Sequence, residues 1–294
     1  MINNKQLNNQ ILNSINFFKM TISTKYFQIL GLFLLVLGLL AGCEEDSLKS
    51  DDINEPQPKV QIGNYNEFGK ILVNQDNQTL YFFAGDVTGE SNCNGGCADV
   101  WPPLVGELYD FDFGSDLNGS DFSTITREDG QKQITFKGWP LYYFSPEGDG
   151  VLEGAGETQG DGRNGVFHVA KPDYSVLVGR QSVTEGEEAI VYLVDDRGVS
   201  LYRSINDGEN LSNCAGGCAG VWPPFKASEN WIIPSSLNQN DFATVVREDD
   251  LGPQLSYKGN PLYYFTPDEQ VRGNVTGQGG AGGTFFVADV EPAQ

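Results

Sequence analysis

The sequence predicts an all-β protein: two tandem homologous domains built of β-hairpin repeats, sandwich or barrel-like in packing, behind a signal peptide and a short tether. Three observations predict it. SNCNGGCADVWPP at 91–103 returns as SNCAGGCAGVWPP at 212–224, and the 15-residue stretches around these copies agree at 11 of 15 positions. Each copy also holds two units in which an apolar run, a polar turn and Leu-Tyr follow one another, with an acid five residues after the Tyr. Beyond residue 43, finally, no apolar pattern of period 3.6 is sustained, whereas short runs rich in β-branched and aromatic residues recur between Gly- and Asp-rich breaks.

Residues 1–42 are a different material. They carry three Lys and no acid, with an apolar run from Phe27 to Leu40 that falls short of the ~20 residues a spanning helix needs, so it reads as the core of a signal peptide. The start is either Met1 or Met20, since 20–43 alone has the length of a signal. The run closes in Leu40-Ala41-Gly42-Cys43, which resembles the bacterial lipobox. That resemblance implies cleavage before Cys43, lipidation of its thiol, and a chain held to the membrane by acyl chains such as palmitate, each buried CH₂ contributing about 0.8 kcal/mol. The expected location is the bacterial cell envelope, on the periplasmic or cell-surface face, with the outer membrane favoured. Residues 43–59 are acidic, hold two prolines and lack aromatics, which suits a flexible tether.

The two domains are placed at 60–175 and 176–294. Their offset stays at 120 or 121: Asp121-Phe122 recurs as Asp241-Phe242, Arg127-Glu128-Asp129 as Arg247-Glu248-Asp249, and Pro140 to Phe144 as Pro261 to Phe265. Turns are expected at 75–78, 137–138, 195–198 and 258–259, further strands at 122–127, 166–170, 242–247 and 284–288, and loops at 147–165 and 268–283. The whole chain has a net charge of −22, and removing residues 1–42 leaves 15 cationic against 40 acidic side chains. Such a surface repels nucleic acid, so no nucleic-acid partner is expected; the expected partners are the membrane, through the lipid, and an unidentified envelope or extracellular ligand.

The residues that carry chemistry are few. Cys93 and Cys97 enclose Asn-Gly-Gly, and Cys214 and Cys218 enclose Ala-Gly-Gly; the glycines let so short a loop close as a disulfide in an oxidising envelope. The alternative is a thiolate copper or zinc site, or redox chemistry, which would make the metal the one cofactor; no His recurs in both copies to join it. His168, the single histidine, aligns with Phe286 and reads as a half-exposed strand residue, which removes the usual general base; no catalytic residue is assigned. Trp101 and Trp222 read either as buried anchors or as exposed aromatic platforms.

The Tyr and acid pairs are Tyr81 with Asp86, Tyr142 with Glu147, Tyr202 with Asp207 and Tyr263 with Asp268. One reading packs each ring with its hydroxyl outward while the acid bonds the following turn; the other makes the four pairs repeated sites for a sugar or cation. Glu147, Asp149, Glu153, Glu157 and Asp161 are numerous enough to hold Ca²⁺, but the second copy keeps Asp268 and Glu269 and then turns to Gly and Ala, which argues against a shared calcium site. Lipobox, tandem copies, C-x3-C with Trp-Pro-Pro, and the Tyr-x4-acid frame together resemble a family of secreted-repeat lipoproteins of unassigned function. The resemblance implies extracytoplasmic β-repeats. It departs in Glu147, where Asp is usual, and in Arg203-Ser204, where other units carry aromatics.

Overall fold

The computed structural model describes residues 59–290 apart from 66, 227 and 229. The expected signal peptide, Cys43 and the expected tether through residue 58 lie outside the described residues. Residues 54–294 form one compact unit.

The chain is β-rich, with strands gathered into small sheets of two or three rather than one barrel. In the first half, β1 (Lys59–Tyr65) and β2 (Gly69–Asn74) form an antiparallel hairpin, joined at one edge by β4 (Asp112–Phe113) running parallel to β1. β3 (Tyr81–Phe83) pairs with β8 (Phe167–Val169), and β5 (Phe122–Thr126), β6 (Lys132–Phe136) and β7 (Trp139–Pro140) make a meander. The second half repeats the plan. β9 (Val176–Gln181) pairs with β10 (Ile190–Asp195), β11 (Tyr202–Ser204) with β15 (Phe285–Val287), and β12 (Phe242–Val245), β13 (Gln254–Tyr257) and β14 (Asn260–Pro261) form the second meander. Helices are single turns, α1 (Gly96–Val100), α2 (Gly217–Val221) and α3 (Gly280–Gly283). Among the described residues, no helix is long and apolar enough to cross a membrane. The all-β repeat architecture expected from sequence is present as several small sheets, without a closed barrel among the described residues, and several strands span only two or three residues.

The turns follow local chemistry. Lys137-Gly138 and Lys258-Gly259 have both central residues at positive φ (49° and 81°, 47° and 76°), the primed geometry that matches strand twist. Asn74 Oδ1 accepts from the amides of Asp76 and Gln78, and Asp195 Oδ1 from those of Arg197 and Val199, so an Asx turn closes both leading hairpins.

Four backbone rings result, each closed by three hydrogen bonds passed from segment to segment. Leu80 donates to Leu72, Leu72 to Ala170 and Ala170 to Leu80; Ile134, Leu104 and Leu141 form the second ring. Leu193, Leu201 and Ala288 form the third, and Leu255, Phe225 and Leu262 the fourth. The third segment of each ring is borrowed. Ala170 follows the second unit but closes the first, and Leu104 follows the first but closes the second, so neither unit of a half completes its backbone bonding alone.

The halves meet along a seam. Arg272 of the second half enters the first, donating to the carbonyls of Val87 (2.9 Å), Lys137 (3.3 Å) and Asp86 (3.3 Å), with its guanidinium 4.6 Å from the ring centre of Trp139. Lys137 pairs with Asp196 at 2.6 Å, and the Trp139 indole donates to the Asp196 carbonyl at 3.1 Å. A Cβ on Gly138 would lie 2.0 Å from Arg272 Nη1, whereas one on Gly259 would meet only the flexible Glu209 side chain at 3.0 Å. Gly138→Ala is therefore expected to cost more than the ~1–2 kcal/mol of left-handed strain that Gly259→Ala shares, because it also expels Arg272. Urea unfolding of the two variants compares them directly.

Candidate functional site

At the centre of each half two tyrosines lie side by side on neighbouring segments. Tyr81 and Tyr142 exchange both backbone hydrogen bonds (2.8 and 3.1 Å), as do Tyr202 and Tyr263 (2.8 and 2.9 Å), and all four side chains are fully buried. Backbone pairing fixes the rings, and their hydroxyls then reach the acid of the opposite unit. Tyr142 donates to Asp86 Oδ2 at 2.5 Å, Tyr263 to Asp207 Oδ2 at 2.6 Å and Tyr202 to Asp268 Oδ2 at 2.5 Å. Tyr81 donates to Glu153. Each carboxylate uses its other oxygen to hold the loop beyond it: Asp86 accepts from the Asn92 amide, Asp207 from Asn213, Glu153 from Gln159, and Asp268 from Thr276.

This arrangement corrects three readings of the sequence. The tyrosine hydroxyls point inward, not to solvent, because each meets a carboxylate, buried in Asp86, Glu153 and Asp268 and half-buried in Asp207. The pairing runs between units, not within the Tyr-x4-acid frame. Glu147 stands exposed and takes no part; Glu153, six residues later, is the acid that reaches Tyr81. Glu157 accepts from the Gly154 amide and Asp161 from the amide of Val169 in β8, so the loop acids do not converge.

A second set of residues ties the cysteine loop to the tyrosines. Ser91 Oγ lies 2.7 Å from the Tyr142 hydroxyl, and Arg127 bonds Ser91, Gln133 and the Cys93 carbonyl at 2.5, 2.7 and 2.9 Å. Ser212, Tyr263, Arg247, Gln254 and the Cys214 carbonyl repeat the network. These residues escaped attention in the sequence, although Ser-Asn-Cys and Arg-Glu-Asp both recur there.

Cys93–Cys97 and Cys214–Cys218 are disulfides, with Cα atoms 5.1 and 5.2 Å apart. Their sulfurs are bonded to each other, so the thiolate site for copper or zinc is not favoured. Directly after each loop the tryptophan turns into the core. Trp101 stacks on Phe167 (centroids 3.8 Å) and Trp222 on Phe285 (3.9 Å), and each presents a T-shaped contact at 5.4 Å to Tyr81 or Tyr202. Gly160 and Gly277 sit so near these rings that a Cβ would approach Tyr81 to 2.9 Å and Tyr202 to 2.8 Å.

Electrostatics follow from burial. Desolvation pushes Asp86 and Glu153 up to about 7, against the weaker opposing effect of the tyrosine hydrogen bonds, and raises Asp207 as well. The same burial raises all four partner tyrosines. Each phenol therefore keeps its proton and donates it in a hydrogen bond to the carboxylate it faces. His168 is also a correction: it is buried, not half-exposed, in the strand that pairs with β3, and neither ring nitrogen finds a hydrogen-bond partner among the described residues. Burial pushes its imidazole down to about 4.

Residues 66–105 and 123–171 match the family model described as a secreted repeat of unknown function. Each match ends just past a borrowed ring segment, at Leu104 and at Ala170. No curated protein matches the chain, and no solved structure does.

Truncating Glu153 to Ala is expected to cost about 1–3 kcal/mol, because Tyr81 is left with an unsatisfied buried hydroxyl, while Glu147→Ala should stay within about 0.5 kcal/mol. Chemical denaturation distinguishes the two. The pH dependence is also set. Asp86 and Glu153 bind protons more tightly folded than unfolded, so their contribution is full below the unfolded value near 4 and is lost as pH rises through about 7. His168 has the opposite sense, losing stability as pH falls from 6.5 through about 4. Two carboxylates outweigh one imidazole, so the thermal midpoint should be higher at about pH 6 than at about pH 8, and Asp86→Asn should flatten the difference.

Proposed function

We propose that this bearer of the secreted repeat is a lipid-anchored bacterial envelope protein, a non-catalytic binding or structural module. The observation that carries the reading is where its recurring polar residues go. Four tyrosines, the four acids they reach and four cysteines are all spent within the framework of the two halves. An extracellular or envelope location agrees with the secreted-repeat match and with disulfides, which persist where the surroundings oxidise. Leu40-Ala41-Gly42-Cys43 supplies the anchor, acyl chains on Cys43 holding the acidic body to the outer membrane. Net charge of −22 disfavours nucleic acid and anionic headgroups as partners.

Fractionation of the native host tests the anchor. The unaltered protein should sediment with membranes and incorporate labelled palmitate, and Cys43→Ala should release it and abolish the label; equal distribution of the two would refute lipidation. Thiol titration of Cys43→Ala tests the framework role: no reactive thiol before reduction and four after it are expected, whereas reactive thiols with stoichiometric copper or zinc would restore the metal alternative.

A further inference from the structure

Between the turn at Gly162–Gly165 of the first half and the β9–β10 hairpin of the second lies a cavity of about 750 Å³. That size falls in the ~300–1,000 Å³ range of small-molecule sites. From its wall chemistry we infer that it binds an uncharged, largely aliphatic molecule carrying a hydroxyl or carbonyl group.

Val178, Ile190, Val191 and Val290 supply a branched aliphatic wall. No aromatic ring lines it, which removes the stacking platform that a sugar or nucleobase uses. No cation lines it either, so an anionic head would find no partner. The one charged wall residue, Asp289, is engaged by Arg203 Nε and Nη2 at 3.1 and 2.9 Å, which leaves a cationic ligand no free counter-charge. Two polar side chains in the wall, Asn164 and Ser236, make no hydrogen bond among the described residues and can meet a single polar group.

The cavity is fixed from both sides before any ligand arrives. Asp161 accepts from the Val169 amide with one oxygen and from Ser235 of the opposite half with the other, and the Ser175 amide donates to the Ile232 carbonyl at 2.8 Å. Asn164 is held in the left-handed region at φ 55°, a strained conformation for a residue with a side chain, and one that recurs at binding sites. Such prior fixing reduces the ordering cost of binding.

This assignment deepens the binding role proposed above, yet does not depend on the lipid anchor, so the soluble Cys43→Ala chain is the test material and the two readings fail separately. Titration with the uncharged fluorescent probe N-phenyl-1-naphthylamine should saturate at one site. Dodecanol should displace the probe at least about tenfold more effectively than dodecanoate, since burying the carboxylate without a partner is costly. Ile190→Trp and Ser236→Trp each crowd the rim from a position outside the tightly packed core, and should weaken probe binding by about tenfold or more while circular dichroism stays unchanged. Absence of saturable binding, equal binding in both variants, or equal displacement by the fatty-acid anion would overturn the assignment. So would binding that appears only after deletion of residues 291–294, because the cavity would then belong to the chain's own C-terminal residues, which continue from Val290 in its wall.

Discussion

Everything in each half hangs on tyrosine hydroxyls reaching carboxylates of the opposite repeat unit. The crossing is forced by topology. Because the backbone ring of one unit is closed by the segment that follows the other, the two Leu-Tyr segments lie antiparallel and adjacent, and each ring points toward its neighbour's loop. A hydroxyl buried there must be satisfied, and so must a carboxylate; paired with each other and with a loop amide, both are. The cysteine loop, the Arg127 and Arg247 networks and the stacked tryptophans are then laid around that pair, so the disulfide braces a loop whose inner end is already held by a Ser–Tyr hydrogen bond.

Duplication alone does not make the seam. Where Trp139 of the first half receives Arg272, the second half has Asn260, which bonds the carbonyls of its own turn. Gly273 donates to Gly198 as Gly156 does to Asn77, which sets Ala155 where the second half has Arg272. Each half therefore carries one complementary face toward the other and a different one outward. This divergence joins the pair into one unit whose apolar core includes Trp139, Tyr174, Leu177 and Tyr192 together.

Much of this was legible in the chain. Repetition located the tyrosines, the cysteine loops and the tryptophans, and composition with turn chemistry placed the hairpins near their observed bounds. The crossing was not legible, because a motif such as Tyr-x4-acid orders residues along the chain, whereas the pairing is set by which segment closes which ring. That misdirection also explains Glu147. It occupies the frame position, but the longer loop of the first half carries Glu153 to Tyr81 instead. His168 was misread because its alignment with the plain aromatic Phe286 says nothing of burial, and the two positions differ: His168 is buried, whereas Phe286 is half-buried. The seam itself rests on Arg272 and Asp196, whose positions in the first copy carry Ala155 and Gln75, so repetition carried no signal for them. In hindsight the change of Trp139 to Asn260 was the available clue.

A double-mutant cycle measures the crossing most directly. Tyr142→Phe and Asp86→Asn, alone and together, should show a coupling of about 1.5–3 kcal/mol, the range for a buried hydrogen bond to a charged group, while Tyr142→Phe with Glu147→Gln should couple by less than about 0.5 kcal/mol. A coupling near zero between Tyr142 and Asp86, or a larger one with Glu147, would contradict the crossed pairing on which the fold is here said to depend.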